Sequence, residues 1–159
     1  MEIAKSAPLQ HSRVGRETQR YDGNVRLIVC IVPFSDETNQ VLLISSSKHK
    51  DGWILPKGGW EADETAEESA KRELEEEAGV DGHIVRSLGE YDYRSGNKSD
   101  AGKPSRLIGF AMCVTKEFQE WSESDRDRRW VTIETARVLL EPRAELRAML
   151  DRAFPQVSG

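Results

Sequence analysis

Apolar residues fall in short bursts along this chain, each closed by a polar or glycine-rich break. Most bursts have the length and β-branching of strands. RLIVCIV (Arg26–Val32) predicts a buried strand, and VLLIS (Val41–Ser45) a second, joined to the first as a hairpin through the polar turn Ser35–Asn39. WILP (Trp53–Pro56) is another short strand, and His83–Tyr93 alternates as a strand should. RLIGFAMCVT (Arg106–Thr115) is the strongest later run and is expected to be central, while WVTI (Trp130–Ile133) supplies a last short strand. Three stretches change to helical spacing: Thr65–Ala78, Thr135–Leu140, and Ala144–Phe154 with Leu146, Met149, Leu150, Ala153 and Phe154 on one stripe. Residues 1–24 lack periodicity and are expected to form a flexible basic arm carrying Arg13, Arg16 and Arg20, ahead of a single domain over 25–155. SGNKSDAGKPS (Ser95–Ser105) has loop composition throughout, and Lys116–Arg129 is a mixed acidic and basic segment.

The first helix carries the chemistry. Thr65 is its expected N-cap, Glu68 the capping-box partner, Gly79 its stop, and Ala66, Ser69, Ala70 and Leu74 its buried side. At about 100° per residue, Glu73 and Glu77 stand one turn apart on one face with Glu76 beside them. Clustered carboxylates repel one another unless a cation lies between them, and an all-oxygen set suits Mg²⁺ or Mn²⁺. Arg72 can pair with Glu76 or brace Glu64 in the preceding loop. Gly58 and Gly59 permit close backbone approach, so a carbonyl at Lys57 or Gly58 is a candidate further ligand. An ordinary solvated acidic helix would explain the glutamates alone. It does not explain the fixed order of glycine, acid, Arg-Glu, apolar residue, paired acids and glycine.

Composition narrows the setting. With 159 residues, 32% charged and 37% hydrophobic, the chain is long enough for one well-filled domain. A net charge of −5 argues against general nucleic-acid binding. Cys30 and Cys113 lie in apolar runs without metal spacing and read as buried free thiols. No apolar run is long enough to span a membrane and no signal-peptide core is present, so the cytosol is the simplest compartment, the nucleus being open as well. His11, His49 and His83 show no mutual ligand spacing, and Trp53, Trp60, Trp121 and Trp130 read as packing residues, Trp60 also as a candidate pocket wall.

Gly58, Glu64, Arg72, Glu73, Leu74, Glu76, Glu77, Gly79 and Val80 resemble the complete signature of the Nudix hydrolases. VLLISSSKHKDGWILPKGGWE, the RYDG turn, WVTIETA and the helix after Pro142 are similar to the diphosphoinositol polyphosphate and diadenosine polyphosphate hydrolases of that family, fungal members especially, over roughly Arg20–Phe154. The resemblance implies an α/β fold, an α/β/α sandwich around a mixed sheet. It also implies Mg²⁺-dependent hydrolysis of a diphosphate linked to another group; a highly phosphorylated small-molecule substrate and a monomeric protein are expected. It makes Glu73 and Glu77 metal ligands with the Lys57 carbonyl, and Glu76 the general base or an additional ligand. Ser46, Ser47, Lys48 and Arg26 match phosphate-contacting positions, and Arg106, Arg129 and Arg143 match basic substrate positions. Lys57, Gly58, Gly59, Arg20 and Lys103 are further candidates for an anionic ligand. Two departures bear on substrate preference: Asn24 and Val25 stand where the family often has basic residues, and the loop after Tyr93 is longer than in animal relatives. A nucleotide-sanitising or cap-removing Nudix hydrolase, a catalytically silent phosphate sensor and a structural subunit are the competing readings.

Overall fold

The computed structural model describes residues 1–8, 18–46, 52–95 and 102–156. These fold into one mixed sheet of nine strands with helices on both faces. In chain order the strands are β1 (Glu2–Ser6), β2 (Tyr21–Asp22), β3 (Val25–Ser35), β4 (Gln40–Ser45), β5 (Trp53–Ile54), β6 (Lys57–Gly59), β7 (Val80–Ser95), β8 (Lys103–Glu120) and β9 (Arg128–Thr132). The helices are α1 (Ala66–Ala78), α2 (Ile133–Leu140) and α3 (Ala144–Ala153). The main path runs β1-β8-β3-β4-β5, with β2 and β6 on β3, β7 on β8 and β9 on β4. β3 lies parallel to β8 from Arg26↔Ser105 to Phe34↔Cys113, and antiparallel to β4 and β6. The expected hairpin is therefore present, paired only at Phe34↔Val41 and Ser35↔Gln40 before β6 takes over beside β3.

Alternation along β3 decides which helix covers which face. Gly58, opposite Val29, lies against Glu73 of α1, whereas Gly109, opposite Cys30, lies against Met149 of α3. Odd-numbered positions of β3 thus face α1 and even-numbered ones face α3. β3 is almost wholly buried, as a strand covered on both sides must be, and Val29 through Val32 have no measurable exposure. Leu146, Met149 and Leu150 of the predicted apolar stripe are likewise fully buried. Cys30 and Cys113 are buried free thiols, and no helix among the described residues is long and apolar enough to cross a membrane.

Two expectations need correction. Glu2–Ser6 is a strand, not an arm, and pairs in parallel with Lys116–Glu120. It was hidden because an edge strand needs few apolar positions, and because β8 itself continues through the charged KEFQE stretch with only Phe118 deeply buried. The 95–105 loop is also shorter than its composition suggests, since β7 and β8 stay paired to Ser95↔Lys103. Residues 96–101, with Lys98, lie outside the described residues, as do Arg13 and Arg16.

Candidate active site

Both ends of α1 are fixed by side chains. At its start the Thr65 hydroxyl accepts from Glu68 N–H at 3.1 Å and the Glu68 carboxylate accepts from Thr65 N–H at 2.9 Å. At its end Gly79 takes φ 65°, and its N–H donates to the Glu75 carbonyl. Trp121 donates from Nε1 to the Glu77 carbonyl at 3.2 Å, and Arg128 donates to the Ala78 and Gly79 carbonyls at 3.0 and 3.1 Å. A Cβ at position 79 would come within 2.5 Å of Trp121, so this stop requires glycine for space as well as for conformation.

The helix presents an unusual face, with Glu73, Glu76 and Glu77 between 3% and 8% exposed. Arg72 is the hub that makes such burial tolerable. Its Nε and Nη2 hold Glu64 at 2.7 and 2.9 Å, and its Nη1 reaches Glu73 at 2.9 Å and Glu76 at 3.2 Å. Both alternatives read from the sequence for Arg72 are therefore realised at once. Nη2 also donates to the Gly59 carbonyl at 3.2 Å, tying the glycine loop to the helix. Gly58 lies tight against this face, since a Cβ there would be 2.1 Å from the Glu73 carboxyl carbon.

Strand β6 brings backbone groups to the same place. Ile31 N–H donates to the Pro56 carbonyl and Trp60 N–H to the Leu27 carbonyl, which sets the hydrogen-bonded pairs at even-numbered residues of β6. Lys57 and Gly59 consequently turn their N–H and C=O groups away from β3, toward α1. The Lys57 N–H donates to Glu77 Oε1 at 3.0 Å, and the Gly59 carbonyl accepts from Ser69 and Arg72. The Lys57 carbonyl shares that edge.

Burial dominates the electrostatics. It raises the Glu73 carboxyl well above the usual range, helped by the charge of Glu77 and opposed by Arg72. Burial likewise pushes Glu77 up to about 8, against the pull of Arg126, the Lys57 N–H and the Lys57 charge. For Arg72, burial works against the charged form, but the hydrogen bond to Glu64 and the charges of Glu73, Glu76 and Glu64 outweigh it and raise its pKa. The Lys57 ammonium is pushed down, chiefly by burial.

These residues fit a hard dication. Glu73 Oε1 is held by Arg72 and Glu77 Oε1 by Lys57 N–H, which leaves the second oxygen of each carboxylate without a hydrogen bond among the described residues. The donors are all oxygens, as Mg²⁺ and Mn²⁺ prefer. Among the described residues no three His, Cys, Asp or Glu side chains already converge as a closed cation cage. The carboxylates are spread around the Arg72 guanidinium instead, so an incoming cation would share Glu73 with Arg72.

The basic residues divide between the two faces of the sheet. Arg26 and the Lys57 side chain stand on the α3 face, where Arg143, the residue before α3, donates weakly to the Ser46 hydroxyl at 3.5 Å. Ser47 and Lys48 lie outside the described residues. Arg129 shares the α3 face but is exposed on edge strand β9. Lys103 is exposed at the end of the β7–β8 pairing.

Arg106 is placed differently from its expected role. It lies opposite Leu27, on the α1 face, and pairs with Asp92 at 2.6 Å and Asp22 at 2.8 Å. The residue beside Arg26 is Ser105, because a one-position step changes face. Arg20 likewise serves as a brace in this structure. Its guanidinium donates to the carbonyls of Glu61, Ala62 and Glu64 and stacks 4.6 Å from the Trp60 ring centroid. Gly59 makes room for Gln19, whose Oε1 would be 2.0 Å from a Cβ there and which accepts from Arg26 Nε at 3.0 Å.

Several participants escaped the sequence reading. Trp121, Glu123 and Arg126 lie in the charged segment before β9. Arg126 donates to Glu123 at 3.0 Å and to the Ser45 carbonyl at 2.8 Å, and Glu123 N–H donates to the Glu76 carbonyl. This loop closes over the last turn of α1, a non-local contact that no local pattern announces.

The glycine loop, the carboxylate helix and the sheet that carries them define a recognisable class. The model of the NUDIX domain matches residues 25–153, and the chain belongs to the Nudix family. It is 44% identical to Nudix hydrolase 4 of Arabidopsis thaliana, covering 79% of this chain and 65% of that protein, so it spans just under two thirds of that relative. It is 40% identical to the mitochondrial Nudix hydrolase 16 of the same plant, covering 79% of this chain and 78% of the relative. It is 35% identical to diphosphoinositol polyphosphate phosphohydrolase 3-alpha of Mus musculus, over 79% of this chain and 76% of that protein. Among solved structures, a NUDIX hydrolase from Nitrosomonas europaea superposes with a TM-score of 0.68 at 17% identity, covering 81% of this chain and 88% of that one. The E. coli dihydroneopterin triphosphate pyrophosphohydrolase gives 0.65 at 16%, covering 79% and 92%. Both confirm the Nudix fold, a mixed sheet between helical layers.

Proposed function

We propose that this Nudix hydrolase uses Mg²⁺ or Mn²⁺ to cleave phosphoanhydride bonds in highly phosphorylated small molecules. Diphosphoinositol polyphosphates are the leading substrates, and diadenosine polyphosphates and inorganic polyphosphate are further ones. The observation that carries this reading is the buried carboxylate face of α1 beside the glycine loop, with Glu73 and Glu76 held by Arg72 and Glu77 held by the outward-turned N–H of Lys57. The Lys57 side chain, Arg26 and the Arg143–Ser46 pair supply cationic and hydroxyl groups on the adjoining face. The mouse relative's name favours inositol substrates over mononucleotides or capped RNA.

A diphosphate resists hydrolysis because its oxygens repel an incoming nucleophile. Glu73, Glu77 and the Lys57 carbonyl would hold the cation, which when bound neutralises those oxygens. Glu76 takes a proton from the attacking water as the new P–O bond forms and the bridging P–O bond breaks. Arg72 keeps the Glu76 carboxylate oriented for that transfer. Lys57, Arg26, Arg143 and Ser46 bind the remaining phosphates.

The test is phosphate release in Mg²⁺ from a diphosphoinositol polyphosphate, diadenosine hexaphosphate, polyphosphate, capped RNA and nucleoside triphosphates, with Glu77→Gln as control. Turnover of the first three that vanishes in the variant is the expected result. Preference for capped RNA or mononucleotides would overturn the substrate assignment, and undiminished activity in the variant would overturn the metal assignment.

A further inference from the structure

On the α3 face one polar group has no partner. The Tyr93 hydroxyl is buried and makes no hydrogen bond among the described residues. Its position is set by register: Tyr93 lies opposite Ser105, and Ser105 opposite Arg26, so all three side chains stand on the same face across β7, β8 and β3. Helix α3 roofs this face. Met149 presses on Gly109, where a Cβ would meet its sulfur at 2.3 Å, and Glu145 lies one turn earlier on the same side of the helix. Burial raises the pKa of the Tyr93 hydroxyl, with the Glu145 charge adding to the rise and the Arg26 and Arg143 charges opposing it, so it remains a neutral O–H donor.

A buried donor with nothing to donate to is costly and uncommon. The charged groups acting on it are two guanidiniums and a single carboxylate that does not accept from it, so an acceptor brought by a ligand would be anionic. Tyr93 also stands across β3 from β6 and Lys57. A ligand touching both must carry phosphates well beyond the diphosphate at the glutamates.

We infer that the Tyr93 hydroxyl is a specificity-determining contact, donating to a non-reacting phosphate of a polyphosphorylated ligand whose diphosphate lies at Glu73, Glu76 and Glu77. This rests on the function proposed above and extends it to the far end of the substrate.

Tyr93→Phe removes the hydroxyl alone. Calorimetric affinities for inositol hexakisphosphate and for inorganic pyrophosphate, measured on wild type and variant in Mg²⁺-containing buffer, separate the possibilities, together with Tm. The hexakisphosphate should bind the variant about 10- to 100-fold more weakly, as expected for a lost hydrogen bond to a charged group. Pyrophosphate affinity should be unchanged and Tm unchanged or raised, because no protein partner is lost. Equal hexakisphosphate affinity in the two proteins, equal weakening of both ligands, a lowered Tm, or no hexakisphosphate binding by wild type would each overturn the inference. Hydrolysis of the substrate panel by wild type is scored separately, so a failed Tyr93 contact and a failed catalytic reading are distinguishable.

Discussion

The two faces of the sheet treat charge in opposite ways. Against α1, three carboxylates are drawn around one guanidinium: Arg72 donates to Glu64, Glu73 and Glu76, and also to a backbone carbonyl. Against α3, the Tyr93 hydroxyl has no partner among the described residues, and Lys57 is held at depressed basicity by burial. The Arg72 hub is paired within the chain and so contributes to stability, whereas the contact inferred for Tyr93 forms only with a bound ligand. Substitutions at Arg72 and at the ligand-facing groups should accordingly separate fold from binding.

The largest effect is expected at Glu76. Replacing it with Gln should lower turnover by about 10²- to 10⁴-fold, the usual worth of a general base, with thermal stability retained. A variant keeping a tenth or more of wild-type activity would remove Glu76 from that role. Arg72→Ala comes next and strikes the self-sufficient face. It leaves Glu64, Glu73 and Glu76 without their shared cation and should cost about 3–5 kcal/mol in urea unfolding. A loss below about 1 kcal/mol, the scale of an exposed pair, would show that the hub is looser than its distances imply.

Glu77 sharpens the comparison through pH. Its carboxyl stands at about 8 in the folded protein against 4.5 as the ordinary value. Below pH 4.5 both states are protonated there and the shift has no effect. As pH rises through that interval the unfolded chain releases its proton first, so stability falls. Glu77→Gln has no such proton. Without divalent cations its Tm advantage over wild type should grow from near zero below pH 4.5 to a plateau above pH 8, and Mg²⁺ should stabilise the wild type alone. A pH-independent advantage would contradict the buried, proton-holding carboxyl. The smallest effect belongs to Arg106→Gln. Exposed pairs contribute little, so KM for any substrate of the panel should stay within about twofold. A larger rise would return Arg106 to the binding site.

How much of this was legible beforehand followed the range of each interaction. The α1 cap, its glycine stop, the Arg72 pairings and the acidic face were readable because all lie within a few residues of one another. Arg20 and Arg106 show what charge alone leaves out: it suggests a ligand, but only tertiary contacts reveal that carbonyls 41 to 44 positions away, or Asp22 and Asp92, engage the donors. Tyr93 was passed over as one position of an alternating strand. Its importance lies in a missing partner, and an absence of that kind has no sequence pattern.

The parallel pairing of β3 with β8 bears on how the protein assembles during synthesis. β3 starts at Val25, but its longest neighbour begins at Lys103, and the partners of β1 are not made until Lys116–Glu120. Contacts between such distant segments form late and slowly. Helix α1 is synthesised well before β8, so its acidic face meets solvent before the sheet is complete, and the apolar run of β3 waits exposed beside it. That interval is when the nascent chain is most open to misassociation.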